Sequence, residues 1–338
     1  MLIENFESPD QEPGLDIDPA AGESNTTYPP KYVKDVQAKK IWLRSIVSLA
    51  IYLLLGYYFF KKWEILLLIT AIVMIHELGH FFAMKFFRYK DLGIFFIPLL
   101  GAYVSGTKRE VSQKESAIIL LAGPLPGILF GIVFYLLWQQ HPFLSIGDTS
   151  FYTTALFFVI LNLFNLLPVY PLDGGQLLNR VFFNEENWLS KLFILLSIGL
   201  LSWFAWKSHF PVLYIFPAMM LLRLITETKT TSIEKKIEAE GINTDLDYDE
   251  LPDAEYWRIR NILIAEHPSF RDISPAPPYE YSEKEERVVT MIQGLLHRHL
   301  LQDVSVPGKL FILLIWIAAA ASPWLVDMDM SFFRRFGL

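Results

Sequence analysis

The chain has 338 residues, of which 53% are hydrophobic, 15% aromatic and only 19% charged, with a mean hydropathy of +0.33. Soluble domains carry about 25% charged residues, so these values speak against an ordinary soluble enzyme, and the long apolar blocks predict an all-α polytopic membrane protein of six to seven transmembrane helices. The net charge of −7 excludes a protein that grips nucleic acid through bulk basic charge. The absence of cysteine excludes disulfides and thiolate ligands, so any metal must be held by His and carboxylates.

In chain order, residues 1–40 read as a disordered acidic cytoplasmic tail. The first thirty residues hold seven acidic side chains and no Lys or Arg, whereas a secretory leader needs a basic start and an apolar core. Spans long enough to cross a bilayer follow at Ile41–Phe60, Trp63–Phe87, Ala117–Trp138, Phe151–Tyr170 and Leu310–Val326. Leu192–Trp206 and Phe210–Leu222 are short and read as two tilted spans or a re-entrant hairpin. Between the second and third spans, Ile94–Val104 is apolar but too short to cross, and Pro98 and Gly101 oppose a helix. It is expected to be a short membrane-associated β or re-entrant segment beside a site, because irregular backbone at membrane depth must be buried or line a cavity.

Residues 226–309 are different material, with 17 acidic and 10 basic side chains. They predict a cytoplasmic helical segment, with helices over 231–241 and 282–301 and a Pro-rich stretch between. The chain thus divides into the tail 1–40, a transmembrane core 41–225, the segment 226–309, and a last helix with a short tail over 310–338. With seven spans and the N-terminus inside, fifteen Lys and Arg flank the cytoplasmic ends and five the other side, the bias expected of cytoplasmic loops.

The chemistry centres on His76-Glu77-Leu78-Gly79-His80. On a helix, i and i+4 share one face, so two imidazoles there can bind one Zn²⁺ while the Glu between them handles a proton. Three ionisable groups within one span cost at least about 2.5–3.5 kcal/mol each, which marks a functional site rather than a packing device. A third ligand is needed, and Asp173 in Asn165-Leu-Leu-Pro168-Val-Tyr-Pro171-Leu-Asp173-Gly174-Gly175 is the outstanding candidate. Pro168 and Pro171 would break the preceding helix, and the two glycines permit tight turns.

The two motifs together resemble the site-2 proteases, intramembrane zinc metalloproteases that carry His-Glu-x-Gly-His in one span and Asn-x-x-Pro-x-Pro-x-Leu-Asp-Gly in a later one. Here the first is intact, and the second has its middle proline displaced by one. The resemblance implies that His76, His80 and Asp173 bind Zn²⁺, that Glu77 is general base and acid, and that Asn165 positions substrate backbone. The strand containing Gly101 and Tyr103 is similar to the one that follows the first motif in many members, and its extended edge is expected to pair by strand addition with an unwound transmembrane segment of a membrane-protein substrate, as in regulated intramembrane proteolysis. Expected surroundings are membrane lipid, a cell membrane with the site toward the cytoplasm, and a regulatory partner at 226–309. Gly123, Gly127 and Gly131 read as a helix-packing series, and Gly127 departs from the Asn common at its place in the family. The remaining histidines, among them His297 and His299, read as surface residues. The competing readings are a non-catalytic metal-binding scaffold, chaperone or pseudo-protease, and a metal transporter.

Overall fold

A computed structural model describes residues 28–33, 41–98, 101–108, 110–183, 187–209, 211–296 and 300–329. The expected tail therefore lies outside the described residues except for Tyr28–Val33, as do His297, His299 and 330–338.

The apolar runs become helices because, away from water, each backbone N–H and C=O must be satisfied within its own segment. Helices α1 (Ile41–Phe60) and α2 (Trp63–Phe86) come first. The short apolar segment after them is a hairpin of strands β1 (Lys90–Ile97) and β2 (Gly101–Thr107), antiparallel, with Ile97 opposite Gly101. Gly101 has φ +110, a conformation that glycine adopts freely.

Strand β3 (Val111–Ser112) leads into α3 (Gln113–Ala122) and α4 (Pro124–Gln140). The single span expected over 117–138 is therefore two abutting helices, because Pro124 has no N–H with which to continue the ladder. Strands β4 (Ser145–Ile146) and β5 (Thr149–Ser150) form a minimal hairpin before α5 (Phe151–Asn165). The span expected to reach Tyr170 stops at Asn165, and Leu166–Leu172 runs outside any helix to α6 (Asp173–Leu178). A π-helical turn, Asn179–Phe183, follows.

Helices α7 (Trp188–Lys207) and α8 (Ile215–Ala239) correct the two short segments of the sequence reading. The apolar windows undercount them because polar ends such as Lys191 and Lys207 still extend the helix. Helix α8 also continues through Thr226 to Ala239, so no break in the chain separates the apolar core from the charged segment. In that segment α9 (Asp253–Glu266) is a helix that the periodicity did not disclose, and α10 (Glu285–Leu295) is shorter than expected. Strand β6 (Leu300–Leu301) pairs in parallel with β3, and α11 (Val306–Leu325) closes the fold.

Among the described residues, six helical stretches are long and apolar enough to cross a membrane: α1, α2, α3 with α4, α7, α8 with the turn before it, and α11. Helix α5 has 15 residues, about 22 Å at 1.5 Å per residue. Ala155 and Val159 of this helix pack with Ile128 and Tyr135 of α4 in the central core. Side chains such as Trp42, Leu54, Leu196 and Leu222 point outward, as lipid-facing residues do.

A second core lies in the charged segment, where Tyr256, Trp257, Ile259 and Leu263 of α9 meet Val288 and Ile292 of α10 and Ile233 and Ile237 of α8. Inside it Arg260 clamps Glu285 in a fork, at 2.7 and 3.0 Å, and the Ser282 amide and Tyr256 hydroxyl also donate to that carboxylate. Burial alone would raise the Glu285 carboxyl, but these donors hold it below its ordinary value. A carboxyl lowered on folding contributes stability above its unfolded pKa and loses it as pH falls through the folded value. The unfolding temperature of this subdomain is therefore expected to fall as the medium is acidified below about pH 4.3, the ordinary Glu value. Thermal melts across that range check this. Glu285→Gln is expected to flatten the dependence and to cost about 3–5 kcal/mol at neutral pH by leaving Arg260 uncompensated.

Candidate metal centre

Helix α2 presents His76, Glu77 and His80, all buried, at exposures of 6%, 5% and 8%. Asp173 opens α6 after the proline-broken turn. The 92 residues between His80 and Asp173 fold so that the Nε2 atoms of His76 and His80 lie 3.1 Å apart, with Asp173 Oδ2 at 3.1 and 3.4 Å from them. The three atoms form a nearly equilateral triangle. Tetrahedral ligands on bonds of about 2.0–2.1 Å stand about 3.3 Å apart, so the triangle has the size that Zn²⁺ requires.

The hydrogen bonds behind the triangle decide what it can hold. His80 Nδ1 lies 2.8 Å from the carbonyl oxygen of Ile119, which can only accept, so Nδ1 carries the proton. His76 Nδ1 lies 2.9 Å from Asn162 Oδ1, and the same amide donates its Nδ2–H to Phe158 O at 2.7 Å, which turns its oxygen toward the imidazole. With the proton on Nδ1, each ring can turn an Nε2 lone pair to the centre, where Asp173 Oδ2 is also buried. Three acceptors facing one another in a buried site repel unless a cation lies among them. The residues present fit a zinc ion.

Close backbone approach makes this arrangement possible. A Cβ on Gly79 would stand 1.9 Å from the carbonyl oxygen of Ala122, and one on Gly123 would stand 2.3 Å from His80 Nε2. A Cβ on Gly127 would meet the Asn162 amide at 2.0 Å. The glycine series on the third span thus does more than pack helices: two of its members make room for His80 and for the residue that orients His76. Gly174 and Gly175 likewise lie within α6 rather than in a tight turn, and serve by letting it press against the carbonyls of Leu166 and Val169.

The triangle and Glu77 line a cavity of about 1100 Å³, which Gly101, Tyr103, Val104 and Asn165 also line. The Val104 backbone hydrogen-bonds Glu77, tying the carboxylate to strand β2. The sequence reading placed the polar role on Asn165, whose amide donates to Leu161 O at 3.2 Å and touches neither imidazole. Asn162, one turn earlier, is the residue on His76, and the only sequence signal for it was a second amide in a span without charge. Asn162→Ala is expected to weaken zinc affinity about 10–100-fold, as removal of an imidazole's outer partner does. Competition against a zinc-chelating dye measures it.

Fold and site define a polytopic membrane protein with a buried His-His-Asp group able to hold a divalent metal and a third carboxylate beside it. Residues 64–149 match the model of peptidase family M50. The zinc metalloprotease MJ0392 of Methanocaldococcus jannaschii is 29% identical over 138 residues, 40% of each chain. Stage IV sporulation protein FB of Bacillus subtilis is 34% identical over 122 residues, 35% of this chain and 40% of that one. The matches thus span about 40% of the length of these relatives. A solved site-2 protease from Methanocaldococcus jannaschii superposes with a TM-score of 0.40 at 22% identity, covering 53% of this chain and 84% of that one. The His-His-Asp donor set and the likeness to a zinc metalloprotease agree on Zn²⁺ as the metal.

Proposed function

We propose that the protein is an intramembrane zinc metalloendopeptidase that cleaves transmembrane segments of other membrane proteins. The observation that carries this reading is the convergence of His76, His80 and Asp173 in one cavity with Glu77 and the β2 strand. Held by the two imidazoles and the carboxylate, Zn²⁺ supplies a Lewis acid for the scissile carbonyl. Glu77 takes the proton of the attacking water as its oxygen bonds to the carbonyl carbon. When the C–N bond breaks, the same carboxyl returns that proton to the amine nitrogen. Gly101–Val104 offers an extended strand beside Glu77, with which an unwound substrate can pair by strand addition, and Tyr103 and Asn165 flank its path. Unwinding is required because the amides of a helix are shielded within it.

The Lys and Arg bias supports a cell-membrane protein with the N-terminus and the site toward the cytoplasm. The contact of Tyr28–Val33 with the charged subdomain adds support, because it puts both on one side and requires an even number of crossings between them. Five of the long stretches precede the subdomain, so α5 supplies a further crossing to make six, and α11 is the seventh. The test is cleavage of a single-span substrate in proteoliposomes. Activity is expected to vanish with a zinc chelator and to return with added Zn²⁺. Cleavage that persists in zinc-free protein overturns the reading.

A further inference from the structure

Residues 28–33, Tyr-Pro-Pro-Lys-Tyr-Val, cross the face of the subdomain without forming helix or strand. Consecutive prolines favour the polyproline II conformation, which makes no internal hydrogen bonds and leaves its carbonyls free to accept from outside. Three of those carbonyls are taken by aromatic side chains. Trp257 Nε1–H donates to Pro29 O at 2.9 Å, the Tyr281 hydroxyl donates to Pro30 O, and the Tyr248 hydroxyl donates to Tyr32 O at 2.7 Å. The rings also form the walls: Tyr28 meets Tyr279 edge-on at 5.5 Å, Tyr32 meets Tyr281 at 5.3 Å, and Trp257 lies parallel to Tyr281.

The lysine has its own socket. Its ammonium donates to the carbonyls of Asp249 and Leu251 at 2.7 and 2.6 Å and lies 5.5 Å from the centre of the Tyr248 ring, while its backbone N–H donates to Asp253 Oδ1 at 2.8 Å. A segment that only completes a core is held by its apolar side chains. This one packs Tyr28 and Tyr32 against the core and is held as well through main-chain carbonyls between aromatic blades, with one cation pocket, which is how proline-rich peptides are recognised.

We propose that this aromatic groove is a peptide-recognition site for segments of the pattern aromatic-Pro-Pro-cation-aromatic, occupied in cis by residues 28–33 and open to exchange with such a segment of a membrane-anchored partner protein. The cis segment is joined to α1 by residues 34–40 alone, a reach of at most about 25 Å. Such a tether gives an effective concentration on the order of millimolar, so a free peptide of equal affinity competes poorly. A partner confined to the same membrane face competes on nearly equal terms, which is the reason for assigning the occupant to an anchored protein.

The test uses the full chain in detergent and a fluorescein-labelled peptide of residues 26–33, with binding read by anisotropy. The double variant Lys31→Ala, Tyr32→Ala loosens the cis segment and is expected to bind the peptide at least about tenfold more tightly than the wild type. Adding Trp257→Phe, which keeps the ring and removes the donor, is expected to reverse the gain, and a peptide with both prolines changed to Ala is expected to bind about tenfold more weakly. Equal binding by wild type and double variant, or by the two peptides, overturns the proposal. If the double variant loses the subdomain's unfolding transition, the wild type decides. Peptide above the roughly millimolar effective concentration of the tether is expected to accelerate exchange of the Lys31 amide, and unchanged protection at that concentration overturns the proposal.

Discussion

Zinc-loaded protein carrying Glu77→Gln is expected to keep its metal and to lose peptide-bond hydrolysis by about 10²–10⁴-fold, the contribution of a positioned general acid–base. The amide has the same shape as the carboxylate, and Glu77 is not one of the three atoms of the triangle, so ligation survives. What disappears is a group able to accept a proton from water and return it to the leaving amine. Zinc content by mass spectrometry and cleavage of a single-span substrate, measured on one preparation, separate the outcomes. Activity unchanged by the substitution points to a non-catalytic role for the site, and loss of both metal and activity means that Glu77 is structural. Zinc flux into vesicles is the signature of the transporter alternative and is expected to be absent.

The second large effect is Asp173→Ala. It removes one corner of the triangle and leaves two imidazoles 3.1 Å apart with no carboxylate to balance the charge of the ion. Bound zinc is expected to fall from about one equivalent to a small fraction of it, because catalytic zinc sites rest on three protein ligands. The stabilisation that the wild type gains from added Zn²⁺ follows RT ln(1 + [Zn]/Kd), and in the variant this thermal shift is expected to disappear. The metal-free variant is expected to remain folded, since Asp173 Oδ2 accepts no hydrogen bond and is not part of the central core. A variant that binds zinc as the wild type does would remove α6 from the metal centre.

Much of this site was legible before any coordinates. The spacing of His76 and His80 places both rings on one helix face whatever surrounds the helix, and Pro168 and Pro171 end a helix through their missing N–H groups in any fold. Apolar length marked the spans for the same local reason. The errors came where polar residues extend a helix past its apolar window, as at α7 and α8, or where a helix with a weak apolar pattern is stabilised by its neighbours, as at α9.

Tertiary structure alone decided the rest. Asn162 and Asn165 stand three residues apart on α5, and which of them faces His76 depends on the rotation of α5 against α2, set by the packing of Gly127 and Gly131 beneath it. The junction of Asp173 with two imidazoles more than 90 residues upstream, and of Tyr28–Val33 with aromatic rings more than 200 residues downstream, has no local trace. Periodicity and propensity encode what a segment does with its own backbone. Contacts between distant segments depend on the joint fit of many side chains, and that fit exists only once the chain has folded.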